Sequence, residues 1–176
     1  MANTAGYYGF KPIGPQKTAA LMEFDIDSSS AAIYRGDLVE LVADNGVSLI
    51  AAVTNEDNLG VAVGFKNELG VPVAYAPATQ TGYKAIVNID KFQKYMVKGS
   101  AAFTAATAIG AVADMTAGTG STETGLSGAY IAAASNTGTT CWRILGLAPR
   151  TGNAWGLNQD LIVILNDQFV VGANGI

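Results

Sequence analysis

Short apolar runs bounded by turn residues recur along the chain and predict β-strands. Residues 38–53 read LVELVADNGVSLIAAV, in which Asn45-Gly46 separates two apolar, β-branched runs. This dipeptide between such runs is the strongest short signal for a β-hairpin. Residues 84–90 read KAIVNID and alternate apolar with polar positions, with Ile86 as the one break. They predict a strand that has one solvated face.

Four further apolar runs extend the strand pattern. NLGVAVGF (58–65) and GVPVAYA (70–76) flank a predicted turn at residues 67–70. Near the C-terminus, CWRILGL (141–147) and LIVILND (161–167) are short, uninterrupted and bounded by turn residues. Strands that are buried on both faces read this way, so we predict that these two lie centrally in a sheet.

Helical segments are scarce, and two segments have no strand pattern. The Ala-rich residues 100–110 allow one helical turn at most. Residues 116–128, TAGTGSTETGLSG, predict an irregular surface loop, and they lack the lysine of a phosphate-binding P-loop. Residues 1–20 are interrupted by Gly and Pro. We therefore predict an all-β fold, in which an extended N-terminal arm (1–20) precedes a single β-barrel or β-sandwich domain of short strands (21–176).

Charged residues are sparse for a chain of 176 residues. Ten Lys or Arg and fourteen Asp or Glu make up 14% of the chain, against about 25% in a typical soluble domain. So little charge indicates a surface that is covered partly by neutral polar residues and partly by other subunits. The net charge of −4 gives no attraction to nucleic acid or to an anionic membrane, and we expect neither as a partner. The N-terminus lacks the pattern of a signal peptide, so we expect synthesis in the cytoplasm.

The residues single out no enzyme chemistry. The chain has no histidine, which removes the usual general base of Ser and Cys nucleophiles and the commonest transition-metal ligand. Cys141 lies in an apolar run beside Trp142, so we predict a buried, inert thiol and a core indole. Asp25 and Asp27 share one face of a predicted strand; they are interpreted as a solvated strand edge, with a Ca²⁺ site as the alternative. We predict no catalytic residue, no metal ligand and no cofactor.

Aromatic residues are concentrated in the N-terminal segment, where Tyr7, Tyr8 and Phe10 lie among glycines and prolines. Aromatic side chains contribute large contact energies at protein interfaces. We therefore predict that these three residues bind a partner, together with Pro12 and with Trp155 of the Gly-rich connection 148–159. The alternatives are an arm that folds back onto its own domain and a Trp155 that is a buried loop anchor.

Five stretches, in their order and spacing, resemble small virion proteins of tailed bacteriophages, which are known as capsid decoration or cement proteins. They are MANTAGYYGFKPI, IYRGDLVELVADNGVSLIAAVTNEDNLGVAVGF, IGAVADMTAGTGSTETGLSG, WRILGLAPRTGNAWG and DLIVILNDQF. The resemblance runs from Met1 to about Phe169.

The resemblance implies an all-β structural protein without catalytic residues, located in the virion on the outer surface of the head. It implies two partners: the major capsid protein, whose neighbouring copies it would bridge, and further copies of itself, with a homotrimer favoured over a dimer. Two other functions remain open from the residues. One is another virion component of shell or tail, and the other is a carbohydrate- or surface-binding β module that uses Trp155 and tyrosines as stacking platforms.

Overall fold

The computed structural model describes residues 3, 6–42, 46–50, 58–135 and 141–166. Strands account for 45% of the structure and helix for 5%, which confirms the predicted all-β class. In chain order the strands are β1 (Lys11–Ile13), β2 (Leu21–Ile26), β3 (Ile33–Tyr34), β4 (Leu38–Leu41), β5 (Gly46–Leu49), β6 (Asn58–Lys66), β7 (Pro72–Val73), β8 (Tyr75–Ala76), β9 (Lys84–Asn88), β10 (Lys94–Lys98), β11 (Val112–Thr116), β12 (Tyr130–Ser135), β13 (Trp142–Leu147) and β14 (Asp160–Leu165). The helical elements in these ranges are a 3₁₀ turn at Thr18–Ala20 and the single turn α1 (Ala105–Ala108).

The first sheet has six antiparallel strands in the order β1-β10-β14-β13-β11-β12. Gly99, directly after β10, forms a bridge with Ile131 of β12, so the sheet curls until the strand at one end meets the end of β10. The predicted central position of β13 and β14 is confirmed. Their alternate residues face inwards: Trp142 and Ile144 are buried while Arg143 and Leu145 are exposed.

The second sheet has the order β4-β5-β2-β9-β6-β7, and an additional pairing of β4 with β6 closes five of these strands into a barrel. β2 and β5 pair in parallel, and the other pairs are antiparallel. The close approach of β6 to β9 needs a glycine, since a Cβ on Gly60 would lie 2.3 Å from the carbonyl oxygen of Asn88. The predicted hairpin of β4 and β5 is confirmed by their antiparallel pairing, although Asn45 of its turn lies outside the described residues.

Each sheet encloses an apolar core, and the two cores meet at β4 and β6. Leu38 and Val61 belong to the core of the first sheet, while their neighbours Val39 and Ala62 belong to that of the second. These strands are buried on both faces, which explains why their sequences do not alternate. A short third sheet, β3 paired with β8, lies against the second core through Ile33 and Ala76.

The described residues of the N-terminal segment pack against the rest of the chain instead of extending as an arm. β1 pairs with β10, and Phe10 is fully buried in the first core. The Phe10 ring stacks on Trp142 with 4.0 Å between ring centroids and an angle of 7° between ring planes. Tyr95 packs against Trp142 in a T-shaped arrangement, with 5.5 Å between ring centroids and an angle of 79° between ring planes. The described residues therefore match the alternative of an arm that folds back onto its own domain, and not an extended arm. The Phe10 ring lies in a Gly- and Pro-rich stretch without a periodic pattern, yet it packs in a core built from residues far away in the sequence.

After Thr116, the last residue of β11, the loop 116–128 has the predicted irregular backbone, and part of it packs against the segment 34–37 that links β3 to β4. Leu126 forms a bridge with Arg35, and Ser127 is buried. Gly120 lies against the Tyr34 ring, where a Cβ would come within 2.2 Å of the nearest ring atom. A segment rich in Gly, Ser and Thr can be exposed to solvent, but its small side chains also let its backbone approach neighbouring residues closely, as it does here.

No helix in the described ranges has both the length and the apolar character needed to cross a bilayer.

Candidate functional site

A cleft with a volume of about 870 Å³ opens between the N-terminal segment and the junction of the two sheets. Its walls come from Asn3 and residues 6–16, from β10, from the loop 150–153 and from the corner that carries Arg35 and Leu126. We call it the N-terminal cleft. Its lining residues are Asn3, Gly6, Tyr8, Phe10, Lys11, Pro12, Gln16, Arg35, Gly36, Ala62, Val63, Met96, Lys98, Leu126, Arg150, Thr151, Gly152, Asn153 and Asp160.

The N-terminal wall of the cleft is held by backbone contacts. Lys11 pairs with Met96 in the ladder of β1 and β10. The Phe10 N–H donates to the carbonyl of Gly36 at 2.9 Å, which ties the segment to the second sheet. Gly9 precedes it with φ +71°, and a Cβ there would lie 2.5 Å from that of Ser127. Only glycine combines this positive φ with so close an approach.

The floor of the cleft is organised around Asp160, whose carboxylate is buried. The carboxylate lies 3.1 Å from Nζ of Lys98 and 2.7 Å from Nη1 of Arg150, and it accepts a hydrogen bond of 2.7 Å from the Tyr8 hydroxyl. The Asp160 backbone N–H donates to the side-chain oxygen of Asn153. Buried charges persist in proteins when they are paired and hydrogen-bonded in this way. Asp160 therefore joins the N-terminal segment, β10 and the loop 150–153 at one point.

Tyr8 is the neutral member of this cluster. Burial raises the pKa of its hydroxyl, and the hydrogen bond to the Asp160 carboxylate raises that pKa further. The hydroxyl therefore stays protonated across the physiological range and acts as a fixed donor. This donor anchors the N-terminal segment across the cleft.

Directly behind the cleft, Asp37 accepts two hydrogen bonds in a buried position. The Tyr34 N–H donates to Oδ2 at 2.7 Å, and the Ser127 hydroxyl donates to Oδ1. The Ser127 oxygen in turn accepts from the Ala129 N–H at 2.8 Å. Burial nevertheless raises the pKa of Asp37 to about 6, because desolvation of the carboxylate outweighs these two donors.

Because of this raised pKa, we predict that the contribution of Asp37 to the free energy of unfolding falls as the pH rises from about 4 to 6. An unfolded Asp has a pKa of 3.8, so between about pH 4 and pH 6 the folded state holds a proton that the unfolded chain releases. The Asp37 contribution is complete below pH 4 and is lost as the pH rises through 6, and it amounts to as much as about 3 kcal/mol. Asp37→Asn should remove this contribution, so the wild-type minus D37N difference in unfolding free energy should shrink between pH 4 and pH 7. Urea titrations at several pH values measure it; a constant difference would contradict the assignment.

The structure gathers some of the predicted partner-binding residues and separates others. Tyr8, Phe10 and Pro12 all belong to the N-terminal cleft, although the Phe10 ring itself is buried behind its wall. Tyr7 lies outside the cleft lining and stacks on Tyr130 at 4.4 Å between centroids. Trp155 is half-buried, packs against the first core and also lies outside the lining, as expected of a loop anchor.

The other singled-out residues have structural surroundings. Asp25 is exposed and paired with Lys84 at 3.2 Å, while Asp27 accepts from the N–H and hydroxyl of Ser29. Asp25 is solvated as interpreted, but the strand-edge part of that interpretation is wrong, because β2 pairs with β5 on one side and β9 on the other and ends at Ile26, before Asp27. Within the described ranges no three acidic or thiol ligands are grouped as a cation site. Cys141 and Trp142 are buried, as predicted.

Sequence reasoning missed the charged residues of the cleft. Lys11, Arg35, Lys98, Arg150 and Asp160 lie far apart in the chain, and none belongs to a recognisable motif. The local signal that came nearest is the polar loop APRTGNAWG, in which a charged residue follows a proline. Comparison of the chain with protein-family models, with curated proteins and with solved structures gave no match.

Proposed function

We propose that the chain is a structural virion protein that binds the outer surface of a phage head. It bridges neighbouring copies of the major capsid protein and stabilises the mature capsid. The observation that carries this proposal is the N-terminal cleft itself. The segment that begins the resemblance to decoration proteins forms one wall of a recess, and that recess combines aromatic, apolar and cationic side chains. This is the composition of a protein-docking site.

The exposed apolar side chains support an interaction protein. Leu69 is 80% exposed at the tip of the β6–β7 hairpin, and Phe92 and Leu157 are 66% and 60% exposed. They accompany a charge content of only 14%. A surface with few charges and several large exposed apolar side chains is suited to be covered by neighbours in an assembly.

The stabilising effect follows from mass action. A protein that binds the mature shell and not its precursor shifts the balance towards the mature shell. Many copies on one shell add their contributions, and an oligomer on a symmetry axis, for which we propose a trimer, engages several capsid subunits at once. No catalytic step is needed for this function.

The direct test mixes the purified protein with undecorated heads of the phage that encodes it. We expect density on the outer surface by electron cryomicroscopy and a higher temperature of head rupture, because bound copies stabilise the expanded shell. Unexpanded precursor heads are the matched control and should bind far less protein. Mature heads that neither gain density nor co-sediment with the protein would overturn the proposal.

A further inference from the structure

The N-terminal cleft concentrates positive charge in an acidic protein. Four of the ten Lys or Arg residues line it, but only one of the fourteen Asp or Glu residues does. The lining therefore carries +3, while the other six basic and thirteen acidic residues carry −7. Such a separation of charge within one small chain gives the cleft a local field opposite in sign to the rest of the surface.

Two of the four cations share one counter-charge, and the other two have none within the described ranges. Lys98 and Arg150 share Asp160. Lys11 and Arg35 are exposed and form no ion pair with an acid among the described residues. Arg35 donates from Nη2 to the carbonyl of Thr124 at 2.8 Å, which fixes the guanidinium and leaves further N–H groups for a ligand. The cleft therefore presents two cations without counter-charges among the described residues, one of which, the Arg35 guanidinium, is held in a fixed orientation.

The other lining residues indicate what kind of ligand would carry the negative charge that pairs with Lys11 and Arg35. Pro12, Met96 and Leu126 give the cleft apolar surface, and the volume of about 870 Å³ exceeds what a single small anion needs. Pockets of this size bury most of the surface of a drug-sized ligand, so the cleft has room for a short peptide segment. β1 forms the end of its sheet, but Pro12 at its centre has no N–H to donate. Recognition by side chains is thus favoured over addition of a further strand.

A polyanion such as nucleic acid fits this charge distribution poorly. It would extend beyond the cleft onto surface that carries −7, and repulsion there opposes binding. A short segment with two or three carboxylates stays within the roughly 8–10 Å over which charge acts at physiological salt.

We propose that the N-terminal cleft binds an acidic, extended peptide segment of the capsid partner, with its carboxylates on Lys11 and Arg35 and an apolar side chain against Met96 and Leu126. This inference rests on the proposed function, since it specifies the partner surface that the docking site accepts. Bidentate pairing of a carboxylate with the Arg35 guanidinium provides the geometric selectivity.

The peptide test uses two synthetic probes, acetyl-Glu-Asp-Leu-Glu-amide and its neutral analogue acetyl-Gln-Asn-Leu-Gln-amide. NMR titration of the full chain should show saturable shifts at cleft residues with the acidic probe and at least about tenfold weaker binding of the neutral one. The K11Q/R35Q variant should lose at least about tenfold in affinity, and the affinity of the wild type should fall with added salt. K91Q/K94Q is the matched control, because it removes two lysines that lie outside the cleft lining and should bind like the wild type.

Head binding then separates this inference from the proposed function. If the wild type binds mature heads and K11Q/R35Q does not, the result supports both the virion function and the acidic-segment inference. Equal head binding by the two proteins would overturn the acidic-segment inference and leave the virion function standing. Three further results would overturn the acidic-segment inference. They are equal binding of both peptides, tighter binding of a short oligothymidylate than of the acidic peptide, and loss of self-association in K11Q/R35Q without any peptide binding. If the wild type does not bind mature heads, the virion function is overturned. The peptide titration would still test whether the N-terminal cleft binds acidic segments.

Discussion

Phe10→Ala is expected to lower the free energy of unfolding by about 3–5 kcal/mol, the cost of truncating a buried Phe in a packed core. The Phe10 ring is fully buried and stacked on Trp142 at 4.0 Å, so its loss leaves a cavity beside the largest core side chain. The indole is also in edge-to-face contact with the buried Tyr95, which limits collapse into the space. Urea unfolding followed by tryptophan fluorescence measures the change.

Tyr7→Ala is the matched control for this variant. Tyr7 is three positions earlier, 40% exposed and stacked on Tyr130, so its truncation should cost about 1 kcal/mol. A loss in F10A no larger than that in Y7A would contradict the placement of Phe10 in the core. The same placement means that removal of residues 1–13 deletes core and β1 together, so such a truncation does not separate docking from folding.

The strands could be predicted because their signals are local. The turn dipeptide at Asn45-Gly46 and the apolar runs of β13 and β14 each determine structure within a few residues. The closure of β4 onto β6 could not be predicted, because it joins strands that a third strand separates in sequence. Local periodicity gives strands but not which strands become neighbours.

The cleft could be predicted only in part. The N-terminal aromatic cluster indicated a contact surface, and Tyr8 and Pro12 do line the cleft. The cluster gave no sign that Phe10 would turn into the core, since that depends on its contact with Trp142. Tyr8 and Asp160 are 152 positions apart, and no spacing rule links a phenol to a carboxylate over that distance.

The position of the cleft couples docking to the stability of the N-terminal segment. One side of the segment is fixed by the Phe10 ring in the core, and another by the Tyr8 hydroxyl on Asp160. A wall that is already ordered before a partner arrives does not incur the ordering cost that a free arm would incur on binding. Residues that stabilise the wall therefore also pre-organise the cleft.

Asp160→Asn is expected to lower the free energy of unfolding by about 3 kcal/mol, because it leaves the Lys98 ammonium buried without its counter-charge. The Lys98 side chain is only 10% exposed, and its other contact is the carbonyl of Asn158 at 3.0 Å. Arg150 is 54% exposed and regains solvent, so it adds little to the loss. Asp25→Asn is the matched control: it breaks an ion pair on the surface, where Asp25 is 71% exposed, and should cost less than about 1 kcal/mol.

A double-mutant cycle distinguishes loss of the buried pair from a general effect on the floor of the cleft. Lys98→Met removes the charge that D160N leaves unpaired, so K98M/D160N should be more stable than D160N alone. The side-chain oxygen of the asparagine at position 160 can still accept a hydrogen bond from the Tyr8 hydroxyl, which keeps the N-terminal wall in place in both variants. Urea unfolding of the four proteins gives the coupling energy; additive losses would show that Lys98 and Asp160 do not depend on each other.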